Sequence, residues 1–145
     1  RPEKCCTVPL GWASYLRPAS AEKPFFSKTS TKMVAHHLQN CIDACLRCAV
    51  ACDRCQEACL HESEVKMMVA CVRLDRDCSK ICYLTASYLA SNSPFSKQAC
   101  ALCAQVCDAC ADECEKHGAH MEHCRECAAA CRQCAEECRK MAASL

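Results

Sequence analysis

The amino-acid sequence predicts an all-α fold, an antiparallel up-down-up-down four-helix bundle with a Cys-lined core. Cysteines recur at steps of three and four along most of the 145 residues, the spacing that keeps side chains on one face of a helix. Glycine (2) and proline (5) are too scarce for a loop-rich chain. Short breaks at His61–Ser63, Ser91–Pro94 and Gly118 split the periodic region into four segments. Links that short make consecutive helices antiparallel neighbours.

Residues 1–32 read as an irregular N-terminal extension. They carry Pro2, Pro9, Pro18 and Pro24, the aromatics Trp12, Tyr15, Phe25 and Phe26, and an isolated thiol pair, Cys5 and Cys6. Nothing near that pair completes a site. No stretch of the extension reads as the apolar region of a secretory leader. The bundle is expected over 33–142, with 143–145 as a tail. Ser30 or Thr31 caps the first helix, which runs to about His61. Ser63 caps the second, about 64–91, and Ser91-Asn92-Ser93-Pro94 ends it, because proline cannot continue the hydrogen-bond ladder. The third runs about 95–117, Gly118 is a natural left-handed stop, and the fourth runs about 119–142.

The first helix carries Cys41, Cys45, Cys48, Cys52, Cys55 and Cys59. The second carries Cys71, Cys78 and Cys82, with Asp75, Thr85 and Leu89 filling the rest of its stripe. The third carries Cys100, Cys103, Cys107, Cys110 and Cys114, and the fourth Cys124, Cys127, Cys131, Cys134 and Cys138. This is a bundle seam with cysteine where leucine and isoleucine normally sit. A disulfide framework is the first alternative, but the total of 21 cysteines is odd and disulfides do not need helical spacing. The second alternative treats cysteine as a small hydrophobe. A seam of nineteen cysteines gives up the volume and transfer energy of leucine or valine, so something else must fill it. Metal is the obvious filler, because its binding adds directly to folding free energy.

Thiolate is soft and suits Cu(I), Zn(II) and iron–sulfur clusters. Charge separates them. Zinc on four thiolates leaves an anionic site, and several such sites on one buried axis repel one another at high desolvation cost. A singly charged ion that displaces one thiol proton leaves the core neutral, so about one Cu(I) per seam cysteine can be stacked. CxxxC pairs such as Cys48/Cys52 and Cys127/Cys131 place two sulfurs on one helix face and form natural clamps. Iron–sulfur cysteines sit in turns and end near proline, unlike these.

Antiparallel order brings the 61–67 and 117–123 turns to one end. His61, Met67, His117, His120 and His123 gather there as weaker, faster-exchanging ligands, with Met68 and Met121 close by, and mark an expected copper port. The opposite end holds Val34, Leu38, Leu84, Tyr88, Leu89, Phe95 and Met141, which read as an apolar plug; Met33, His36 and His37 lie there too. Asp75 is the one carboxylate at a seam position, either a charge partner or a contact for an edge ion.

Lys plus Arg (18) nearly balances Asp plus Glu (17), which removes the electrostatic reason to expect nucleic acid or an acidic membrane as partner. No apolar run reaches the ~18–20 residues that span a bilayer. No catalytic triad or paired carboxylates stand out, so no enzymatic activity is expected. Rival functions are a metallothionein-like zinc or mixed-metal buffer, which lacks the helical pattern, and a thiol redox or iron–sulfur protein, whose CxxC normally sits beside strands.

The repeated CxxxCxxC stripes over about residues 33–142 resemble the bacterial cysteine-rich copper storage proteins. The resemblance implies a four-helix bundle filled with many Cu(I) ions, most held by two thiolates, a homotetramer, and a copper donor or acceptor as partner. Exported and cytosolic members both occur, and the larger cysteine count here resembles the cytosolic type, so a cytoplasmic location is expected.

Overall fold

Alanine, glutamate, lysine and arginine fill most positions between the seam cysteines, and all are good helix formers. The structure, a computed structural model, describes residues 28–145, with side chains from residue 36 onward. It contains four long helices: α1 (Lys28–Leu60), α2 (Val69–Ala90), α3 (Ser96–His117) and α4 (Glu122–Ser144). A single 3-10 turn, Val65–Met68, precedes α2. Helix α1 packs against α2 and α4, and α3 packs against the same two, so the helices form a ring with sequential neighbours adjacent. This is the up-down-up-down bundle, with no strand among the described residues. Residues 1–27 of the extension expected over 1–32, with Cys5 and Cys6, lie outside the described residues, as do the side chains of Met33 and Val34; residues 28–32 belong to α1 rather than to an irregular segment.

Helix boundaries differ from the sequence expectation in ways that shape the ends of the bundle. Helix α1 begins at Lys28, earlier than a cap at Ser30 or Thr31. Ser63 does not cap α2; the chain enters the 3-10 turn after Glu64, without a side-chain cap. Helix α2 stops as expected at Ser91-Asn92. Asn92 takes φ 51, its N–H reaches the Leu89 carbonyl, and the Ser93 N–H reaches back to Tyr88. That pairing satisfies the last carbonyls of the helix. Gly118 is not a left-handed stop: its φ is −61. The N–H groups of His120 and Met121 both return to the His117 carbonyl, and Met121 is extended, which turns the chain into α4. Gly118 instead packs on the start of α4, where Arg125 Cα lies 3.5 Å from the place of a Cβ.

The core is thin. Alanines such as Ala49, Ala111 and Ala135 flank the cysteines and let the helices approach closely. Leu89, Met68 and Met141 are the large apolar side chains fully buried. Leu89 and Met141 are the buried members of the expected plug, and Leu38 is half-buried against the core. Leu84 and Phe95, expected in the plug, are exposed instead. Both fall off the α2 and α3 seams, and Phe95 stacks at a tilt on Tyr88, ring centroids 6.4 Å apart. Outside, Arg132 of α4 bridges to Glu115 (2.9 Å) and Asp112 (2.5 Å) of α3, and Arg139 reaches Asp108 (2.6 Å). Such exposed pairs fix register more than they stabilise.

Candidate metal centre

Every seam cysteine from Cys41 to Cys138 points inward and is buried, and all nineteen are free thiols. The heptad-like spacing puts most of them within 4 Å of a sulfur on a neighbouring helix. At the plugged end Cys41 lies 3.8 Å from Cys138, and Cys45 lies 3.6 Å from Cys138 and 3.8 Å from Cys134. Cys82 is 3.6 Å from Cys103 and 3.7 Å from Cys107. In the middle Cys48 is 3.6 Å from Cys131 and 3.9 Å from both Cys78 and Cys107. Cys52 then sits 3.7 Å from Cys127 and from Cys131. Towards the other end Cys71 is 3.5 Å from Cys114 and 3.8 Å from Cys59, and Cys55 is 3.9 Å from Cys124.

Sulfurs on a metal with bonds of ~2.3 Å stand ~3.8–4.6 Å apart, from tetrahedral to linear coordination. The thiols already stand near that range, so an ion needs only small rotamer changes to enter. Several groups of side chains are close enough to share an ion, among them the four-sulfur sets Cys45/Cys103/Cys134/Cys138, Cys48/Cys82/Cys107/Cys134, Cys48/Cys52/Cys78/Cys131, Cys52/Cys110/Cys127/Cys131 and Cys55/Cys59/Cys71/Cys124. The first four are not independent. Cys134, Cys48, Cys52 and Cys131 each belong to two of them. Separate tetrahedral sites would compete for those sulfurs, whereas bridging thiolates serve both neighbours.

Burial disfavours a bare thiolate charge along this axis. It pushes the Cys59 thiol above its ordinary value, and Cys71 and Cys124 beside it push the same way. Asp75, fully buried among the thiols, is the polar exception. Its Oδ1 accepts from Cys110 (3.1 Å), Cys127 (3.3 Å) and Cys114 (3.6 Å), and its Oδ2 from Cys71 (3.6 Å). Burial, reinforced by Cys127, pushes its carboxyl up to about 7.

At the expected port the structure sorts the five candidates. His123 lies on the sulfurs: its Nδ1 is 3.5 Å from Cys55 and Cys124 and 3.8 Å from Cys59. Its Nε2 is 3.0 Å from Glu62. His117 is half-buried at the end of α3, its Nε2 3.5 Å from Glu113 but without a hydrogen bond. His61 and His120 are exposed, and His61 Nδ1 donates to the Glu57 carbonyl of its own helix at 2.9 Å. Met67 is 70% exposed and Met68 is 1% exposed, so the inward thioether is Met68. The expectation extended α-helical phase from Cys71 back through Met67. The 3-10 turn has three residues per turn, so the residue three before Cys71 faces inward instead. His120 misses the seam for a related reason, since α4 starts only at Glu122. Sequence reasoning missed Glu62 altogether; it lies in a turn, where periodicity carries no signal.

A family profile described as copper storage protein matches residues 34–143. The chain belongs to the copper storage protein family. It is thus a copper storage protein whose seam thiols form clusters able to hold metal within the bundle. The family's Cu(I)-bound copper storage protein BsCsp3, from Bacillus subtilis, is 47% identical to this chain, with a TM-score of 0.69 over 73% of this chain and 98% of its own. A cytosolic copper storage protein from Streptomyces lividans, solved with five coppers, is 40% identical, with a TM-score of 0.74 over 79% of this chain and 98% of its own. An uncharacterized cysteine-rich protein, YhjQ, of Bacillus subtilis is 50% identical over 77 residues, which cover 53% of this chain and 71% of that protein. No helix among the described residues is long and apolar enough to cross a membrane.

Proposed function

We propose that the bundle holds Cu(I) at about one ion per seam thiol, through the nineteen cysteines from Cys41 to Cys138, and fills and empties at the end where His123 stands. The observation that carries this reading is the sharing of Cys48, Cys52, Cys131 and Cys134 between neighbouring four-sulfur groups. Shared sulfurs suit low-coordinate ions with bridging thiolates. Each Cu(I) replaces one thiol proton, so the buried axis stays neutral at every stage of filling, and stacking ions builds no repulsion. His123 is the first ligand an incoming ion meets, and His117 and Met68 stand behind it as further soft or borderline donors. His61, His120 and Met67 stand at the surface of the same end.

The functional unit is the bundle over 33–142, with 1–32 as an appended segment. By analogy with the Streptomyces lividans protein, described as cytosolic, the chain works in the cytoplasm, where reducing conditions keep thiols free. It assembles as a homotetramer and exchanges copper with a donor or acceptor protein. Proton counting tests the neutral-core reading. In weakly buffered solution, Cu(I) added to the reduced apoprotein should release about one proton per ion up to saturation. Release of two or more protons per ion would mean anionic clusters and would overturn it.

A further inference from the structure

We propose that Glu62 is a positioning residue for copper uptake: its carboxylate accepts a hydrogen bond from the Nε2–H of His123 and thereby aims the free lone pair of Nδ1 at the port sulfurs. This assignment rests on the reading of that end as the port. A neutral imidazole carries one donor nitrogen and one acceptor nitrogen, and a neighbouring hydrogen bond decides which is which. An ionised carboxylate can only accept. Glu62 Oε1 at 3.0 Å from Nε2 therefore selects the Nε2–H form. Nδ1 is left as the acceptor, and it faces three groups that can donate: Cys55 and Cys124 at 3.5 Å and Cys59 at 3.8 Å. The opposite tautomer would set a lone pair against the carboxylate and waste the nitrogen that faces the sulfurs.

The contact also ties together two elements far apart in sequence. Glu62 lies in the link after α1, and His123 lies in the first turn of α4. Both side chains are half-buried, so water competes only partly for the bond. None of the other histidines at this end combines a carboxylate bond with thiol contacts. His117 has Glu113 at 3.5 Å but no thiol partner, and His61 bonds its own helix.

The chemical step balances simply. Cu(I) takes the Nδ1 lone pair without displacing a ring proton. One thiol among Cys55, Cys59 and Cys124 forms the S–Cu bond and releases its proton to water. Nothing is oxidised or reduced, and the Nε2 proton stays on His123, hydrogen-bonded to Glu62. Outer partners of this kind raise the basicity of a ligating imidazole and hold its plane, and losing one typically costs ~10–100-fold in metal affinity.

The test uses the full chain, reduced and metal-free. Imidazole 15N NMR reads the His123 tautomer directly, assigned by loss of its signals in His123→Gln. The wild type should be the Nε2–H form, Glu62→Ala should shift towards a mixture, and Glu62→Gln, whose amide oxygen still accepts, should retain it. Stopped-flow uptake of the first equivalents of a Cu(I)–chelator complex should slow about tenfold in Glu62→Ala and recover in Glu62→Gln. Glu113→Ala should leave the rate unchanged, and Glu62→Ala should add nothing in a His123→Ala background. An unchanged tautomer in Glu62→Ala, or an equal slowing with and without His123, would overturn the assignment. If His123→Ala itself leaves uptake unchanged, the port reading falls, and the tautomer of the apoprotein still decides what Glu62 does.

Discussion

At one end of the bundle Leu89 and Met141 close the seam that begins with Cys41, Cys100 and Cys138; at the other, His123 and Glu62 lean over Cys55, Cys59 and Cys124 from the turns. The first end spends its buried positions on apolar volume, which stabilises the fold, and leaves His36 and His37 exposed. The second gives up burial and gains a ligand at the surface. Asp75 deepens the contrast, because the one carboxylate of the core bonds to Cys71, Cys110, Cys114 and Cys127 in the half nearer His123. A channel of near-identical thiols thus acquires a direction from a handful of residues that are not cysteine.

The largest expected effect comes from Asp75. Its folded-state value of about 7 lies above that of an unfolded carboxyl. The folded protein therefore keeps a proton that the unfolded chain has lost, so the contribution of Asp75 to stability is fully present below about pH 4 and is lost as pH rises towards 7, by on the order of 4 kcal/mol. Urea denaturation of the reduced apoprotein at a series of pH values reads this, and Asp75→Asn should flatten the slope. A profile equally steep in Asp75→Asn would place the effect elsewhere. Next comes the plug. Leu89→Ala should destabilise the apoprotein by roughly 2–4 kcal/mol in the same assay, while the rate of copper uptake stays as in the wild type. His123→Ala should do the reverse, slowing uptake about tenfold with little change in stability, the loss of one ligand at a surface site. If both variants moved both quantities together, the two ends would not be distinct. The smallest effect is at Met67: Met67→Ala should stay within about 0.5 kcal/mol of wild type, as exposed substitutions do, and leave uptake unchanged. Met68→Ala should cost several times more by denaturation.

The fold and the seam were legible because they rest on periodicity. A repeat of three and four residues specifies which side of a helix is buried, and Cys48 or Cys131 could be assigned without knowing the loops. Asp75, Thr85 and Leu89 were placed on the α2 stripe by the same rule, and all three are buried. The ends were only partly legible. A turn breaks the phase between helices, so counting from Cys71 back to Met67 or from Cys124 back to His120 carried an α-helical rule across residues that are not α-helical. His123 was legible because it lies inside α4, one residue from Cys124. Glu62 was not, since its partnership with His123 spans 61 residues and depends on how two turns meet.

The most direct test of the central claim is a titration of the fully reduced apoprotein with Cu(I) against a competing chelator. One ion per shared, bridging thiol requires saturation at about 15 equivalents or more. Saturation at about five equivalents, one ion for every three or four thiols, would match separate high-coordinate sites and contradict the account.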